Sequence, residues 1–128
     1  MKAYFDSSAI VKLGRPETES QALIDYLDEQ QPNALTTALA DVEVRRALDR
    51  LRARGADPRN HLRGFFLIDL SRDVRDLAAK IAPELRSLDA IHLATALSLD
   101  VDLDFVTYDD RLAAAARAEG LRVVQPGR

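Results

Sequence analysis

Cysteine is absent from the 128 residues, which removes disulfides, thiolate metal sites and thiol nucleophiles together, and with them zinc ribbons and cysteine proteases. Long apolar runs are missing too. The longest, residues 112–116, holds five residues, against the roughly 18–20 that cross a bilayer. The N-terminal stretch reaches an acid at Asp6 before any apolar segment suited to a signal peptide, so a soluble, cytoplasmic protein with no membrane partner is expected. Lysine is scarce. Lys2, Lys12 and Lys80 are the only three, so no lysine falls near the end of a late strand, where a phosphoacceptor receiver domain needs one. Neither a Gly-rich phosphate loop nor a nucleophile-elbow motif occurs, which argues against a nucleotide-binding switch and a serine hydrolase.

What is present suits one compact unit. A chain of this length, 47% hydrophobic and 30% charged, can bury a core without staples, and a single domain over residues 1–128 is expected. The net charge of -3 does not mark a nucleic-acid binder, yet its distribution is uneven. Seven arginines (45, 46, 50, 52, 54, 59 and 63) face only Asp49 and Asp57 between residues 45 and 63, a local excess of +5 against -8 for the rest. Such a block is either a solvated helix face or a phosphate-binding surface.

Hydrophobic periodicity and capping signals give alternating strands and helices. Residues 2–5 form a short strand, and Asp6-Ser7-Ser8 is an N-cap signal for a helix that ends near Gly14. A second helix runs to about Gln30, a strand covers 34–36, and a long helix spans about 37–54 with Ala40, Val44, Ala47, Leu48 and Leu51 as its apolar stripe. A brief helix from Pro58 precedes a strand at 65–68 that reads as buried. Residues 72–82 read as helical up to a break at Pro83, and Ser87 as the cap of an almost wholly apolar helix over 88–99. A strand at 103–107, a helix capped by Asp109 or Asp110 and closed by Gly120, and a strand at 121–124 complete the chain. This alternation predicts a parallel sheet with helices on both faces, whose sites lie beyond the carboxyl ends of the strands where strand order reverses.

The acids cluster at that edge. Asp6 follows the first strand, Asp109 and Asp110 follow the fourth, Asp41 and Glu43 open the third helix, and Asp89 lies in the first turn of the apolar helix. Any one of Asp6, Asp89 or Asp109 alone reads as a helix-capping acid. Together they would repel one another, and a hard divalent cation with oxygen ligands resolves that conflict and suits phosphodiester hydrolysis. Asp41 and Glu43 lie about 80° to either side of the apolar stripe, so periodicity leaves both open. His92, three residues after Asp89, reads first as a hydrogen-bonded buried histidine, and His61 as a surface residue. Asp100, Asp102 and Asp104 alternate as in a calcium loop, but Phe105 and Arg111 stand where its glycine and closing glutamate belong.

Four segments, Tyr4-Phe-Asp-Ser-Ser-Ala, Val42-Glu-Val-Arg-Arg-Ala-Leu, Leu88-Asp-Ala-Ile-His-Leu-Ala-Thr-Ala and Phe105-Val-Thr-Tyr-Asp, in this order and spacing, resemble the PIN-domain ribonucleases. Within that family they look like the VapC-type toxins of bacterial toxin-antitoxin pairs, over nearly the whole chain. The resemblance implies a three-layer α/β/α sandwich around a parallel five-stranded sheet of order 3-2-1-4-5. It also implies that Asp6, Glu43, Asp89 and Asp109 form an acidic site for Mg2+ or Mn2+, which selects Glu43 over Asp41, with Ser7 and Thr107 supporting the site through their hydroxyls. Asp110 departs from the commoner basic or neutral residue and reads best as a cap for the last helix. Asp41 adds an acid that many relatives lack.

The function so implied is a metal-dependent endoribonuclease that leaves 5' phosphate and 3' hydroxyl ends, with RNA as substrate, a cognate antitoxin protein as partner and a homodimer as the expected assembly. The alternative is an antitoxin- or RNA-binding module with weak or no catalysis.

Overall fold

A computed structural model describes residues 1–50 and 62–128. Five strands, β1 (Lys2–Phe5), β2 (Asn33–Thr37), β3 (Phe66–Ile68), β4 (Asp104–Val106) and β5 (Arg122–Val124), form one sheet of order β3-β2-β1-β4-β5. Every pairing is parallel, with Tyr4 opposite both Leu35 and Phe105. Helices α1 (Ser7–Gly14), α2 (Ser20–Gln30), α3 (Leu39–Arg50), α4 (Arg72–Ala78), α5 (Ser87–Ser98) and α6 (Asp110–Ala118) connect them.

Side chains alternate across the pleat, so the central strands are apolar on both faces and serve two cores. Ala3, Phe5 and Val106 join Ile10 of α1, Leu23 of α2 and Val44 and Leu48 of α3 in one core. Tyr4, Leu35 and Phe105 join Leu93 of α5 and Leu112 and Ala116 of α6 in the other. This is the three-layer sandwich. The rings of Tyr4 and Phe105 stack at 5.4 Å on adjacent strands, and each fully buried aromatic or branched side chain contributes about 1.5–3 kcal/mol. Gly14 allows α1 and α3 to approach closely: a Cβ there would lie 2.7 Å from Leu48 Cδ1.

Several sequence expectations shift. The strand read as buried at 65–68 is the exposed edge strand β3, with Phe66 68% accessible; a short apolar run cannot say whether both its faces will be covered. The helix expected over 72–82 ends at Ala78, where the chain turns through Ala82 at φ 42° before Pro83. Ser87 does not cap α5. It is the first helical residue, and Arg86 holds the cap position with no side-chain hydrogen bond. The cap of α6 is Asp109, not Asp110, because the Asp109 side chain accepts from the Leu112 amide. The brief helix from Pro58, the last residues of the long helix, His61 and arginines 52, 54 and 59 lie outside the described residues. Among the described residues, no helix is long and apolar enough to cross a membrane.

Candidate active site

All five strands point the same way, so their carboxyl ends share one edge, and the connections leaving β1 and β4 diverge there to opposite sides. Asp6 and Asp109 sit at that divergence. Asp6 caps α1 and is only 3% exposed, and its amide donates to Val106 O at 3.1 Å, which ties the two strand ends together. Its carboxylate is enclosed by donors. Thr107 Oγ1 donates to Oδ2 at 2.7 Å, Ser8 Oγ lies 2.7 and 2.9 Å from the two oxygens, and the Ala9 amide donates at 3.0 Å. Burial nevertheless pushes the Asp6 carboxyl above the usual range, against the pull of His92, Thr107, Ser8 and the Ala9 amide. Thr107 Oγ1 also accepts from the Asp109 amide at 3.1 Å, so one hydroxyl bridges the segments that carry two of the acids.

Glu43 and Asp89 come from opposite layers of the sandwich. Glu43 Oε1 accepts from Ser7 Oγ at 2.9 Å and lies 2.9 Å from His92 Nε2. Burial works to raise the Glu43 carboxyl, but the His92 and Ser7 contacts outweigh it and hold it below the ordinary glutamate value. Asp89, in the first turn of α5, is displaced upward by burial, then by the charge of Asp109, with further contributions from Asp6 and Glu43 and an opposing one from His92. Each of the other three acids therefore acts on Asp89. Asp89 and Asp109 line a cleft of about 330 Å³ with Glu84, Leu85, Arg86, Asp110 and Arg111.

The remaining acids separate from this group. Asp41, on the same helix as Glu43, pairs with Arg45 one turn on at 2.8 Å. Asp110 is exposed and pairs with Arg128 at 3.0 Å. Asp104 is buried between Tyr26 and Arg122, a structural contact rather than part of a calcium loop. In the arginine block, Arg46, Arg50 and Arg63 are exposed.

Sequence reasoning left His92 as a buried histidine and passed over Ser8. His92 is 1% exposed and spans the site, with Nδ1 2.9 Å from the Tyr4 hydroxyl and Nε2 on Glu43 and 3.2 Å from Ser7 Oγ. An ionised Glu43 can only accept, which puts a proton on Nε2, while Nδ1 faces the Tyr4 hydroxyl. Ser8 could have been suspected from its place two residues after a capping aspartate, but its bond from the Tyr108 amide at 3.0 Å depends on the β1–β4 pairing.

Residues 3–118 match the PIN domain family. The chain belongs to that family. Ribonuclease VapC46 of Mycobacterium tuberculosis is 48% identical over 126 residues, covering 96% of each chain, which places the protein in the VapC branch of the PIN-domain family. Among solved structures, VapC20 of Mycobacterium tuberculosis, described as a sarcin-ricin loop cleaving toxin, superposes with a TM-score of 0.74 at 16% identity over 98% of this chain and all of that one. A toxin-antitoxin complex from Klebsiella pneumoniae gives 0.70 at 24% identity over 96% of both chains. At those identities the two structures speak for the PIN fold alone.

The donor set fits a hard divalent cation, since it offers carboxylate oxygens and no sulfur, and since the buried Asp6 and the mutually repelling Asp89 and Asp109 carry negative charge that a cation would offset. Among the described residues, no three such side chains close on a single point as ligands would.

Proposed function

We propose that residues 1–128 act as one nuclease domain, a Mg2+- or Mn2+-dependent endoribonuclease that is the toxin of a toxin-antitoxin pair. The observation that carries the reading is that Asp6 and Asp109 sit at the reversal point of the sheet and that Asp89 lines one cleft with Asp109. The ribonuclease name of a relative 48% identical over nearly the full length supports the activity. Membership of the VapC branch, whose type is the toxin of a toxin-antitoxin pair, supports the antitoxin partner.

In this reading Asp6, Glu43, Asp89 and Asp109 would hold the metal. When bound, the cation supplies activation of water and neutralises charge that develops on the phosphate. Thr107, Ser8 and the Ala9 amide hold the Asp6 carboxylate, and Ser7 with His92 orients Glu43, so these two of the four acids are fixed by protein partners. The exposed arginines Arg46, Arg50 and Arg63 contribute to holding flanking backbone. The protein works in the cytoplasm as a homodimer.

Expression tests the toxin role. The chain alone should arrest growth, coexpressed cognate antitoxin should restore it, and Asp6→Asn, shown to accumulate folded, should be harmless. Equal toxicity of Asp6→Asn would refute the site. A second reading, a binding module with weak or no catalysis, draws on the failure of any three acids among the described residues to close on one point. Retained RNA and antitoxin binding without metal-dependent cleavage would establish it.

A further inference from the structure

Two arginines share the cleft with the acids and pair with none of them. Arg86, at the start of α5, and Arg111, second residue of α6, line the same cleft of about 330 Å³ as Glu84, Asp89, Asp109 and Asp110. Some arginines elsewhere pair with nearby carboxylates, as Arg45 does with Asp41, Arg122 with Asp102 and Asp104, and Arg128 with Glu19 and Asp110. At the cleft two of the four acids are engaged elsewhere. Arg128 takes Asp110, the immediate neighbour of Arg111, and the Asp109 carboxylate turns to cap the Leu112 amide. Both residues are exposed and have no side-chain partner among the described residues, beside an acidic group that repels any polyanion.

We propose that Arg86 and Arg111 form a phosphate-binding subsite that grips the RNA backbone beside the scissile phosphate. A guanidinium presents a planar fork of donors that matches two phosphate oxygens, which an ammonium does not. RNA can enter an acidic cleft only if some of its phosphates meet positive charge there, and these are the two cationic residues lining it. The occupant is the nucleic acid rather than an acidic protein segment, because the forks stand beside Asp89 and Asp109, where the strand must lie to be cut. This rests on the nuclease reading above. It adds residues outside the acidic set.

The test measures binding of a fluorescein-labelled single-stranded RNA by anisotropy in Ca2+ over a salt series, and cleavage in Mg2+, for the parent, Arg86→Ala, Arg111→Ala, the double variant, and Arg117→Ala on an exposed position of α6 as a control. Each single variant should weaken binding and raise KM about tenfold with kcat nearly kept, and the double variant should lower the slope of log affinity against log salt by about 1.4, the share of two backbone contacts on a single strand. Arg117→Ala should match the parent. Parent-like affinity and salt slope in the double variant would overturn the proposal, and loss of antitoxin binding by that variant would then assign the pair to the protein partner. Failure of the nuclease reading is distinguishable, because the parent itself would then not cut RNA in Mg2+, whether or not it bound it, and a subsite beside a scissile phosphate would fall with it.

Discussion

His92 Nε2 lies 2.9 Å from Glu43 Oε1, so a histidine from one helical layer holds an acid from the other across the edge of the sheet. The same ring takes the Tyr4 hydroxyl on Nδ1, and that phenol is buried, its ionisation strongly suppressed first by desolvation. Replacing His92 with alanine removes the ring partner of a buried hydroxyl and leaves Glu43 held by Ser7. We expect His92→Ala to lose about 1–3 kcal/mol of stability in urea unfolding and to lower cleavage, whereas Tyr4→Phe, which strands only one ring nitrogen, costs less of both. A double-mutant cycle between the two positions should show coupling. Strict additivity would mean that the chain of contacts carries no energy of its own.

Asp89 should trade stability for activity. Its folded-state carboxyl lies above its unfolded value, chiefly through burial and the charge of Asp109, and Asp6 is raised by burial. Such a group lends stability below the unfolded value, near pH 4, and that contribution is lost as pH rises through the raised folded value. Glu43 has the opposite sign: its lowered value lends stability above the unfolded value, lost as pH falls. Asp89→Asn in EDTA should therefore melt above the parent by a margin that grows from pH 4 to pH 8 and narrows in Mg2+, while its cleavage falls about a hundredfold or more. A melting difference that does not change with pH would contradict the repulsion.

Asp41 and Glu43 are two residues apart and should behave differently. Glu43→Gln should nearly abolish cleavage in folded protein. Asp41→Asn should keep it and lose only an exposed pair one helical turn apart, worth about 0.3–0.5 kcal/mol, as read by chemical denaturation. Equal losses of activity would mean that both acids face the RNA.

Ser8 and Thr107 should act through Asp6. Thr107→Val and Ser8→Ala each remove a hydroxyl donor from its carboxylate, and outer partners of metal-holding acids are worth about tenfold to a hundredfold in metal affinity or activity. The Mg2+ concentration needed for half-maximal cleavage should rise accordingly. An unchanged Mg2+ requirement would leave both hydroxyls a purely structural role.

Much of this architecture could be read before the structure because alternating caps and apolar runs mark a parallel α/β sheet, and because Asp6 directly follows the first strand and Asp109 lies three residues past the fourth. Residue pattern alone could not order the strands; the family resemblance supplied 3-2-1-4-5, the order observed. Other features depend on contacts across the chain. Phe66 looks like a core residue until β3 is known to be an edge. Ser7 and Ser8 are identical neighbours in sequence, yet one serves Glu43 and the other Asp6, a division set by how α1 leaves β1 against α3 and β4. Asp109 and Asp110 both precede the last helix and either could cap it by sequence; only the Leu112 amide and Arg128 tell them apart.

The central claim, that four acids carry a metal-dependent cut in RNA, is met most directly by one experiment. Purified antitoxin-free protein and its Asp89→Asn variant are incubated with total RNA from the source cell in Mg2+, Mn2+ or EDTA, and the RNA ends are mapped. Discrete internal cuts with 5' phosphate ends are expected with either metal and should vanish in EDTA and in the variant. Cuts that persist in EDTA or in folded Asp89→Asn, or no cuts from folded parent protein, would contradict it.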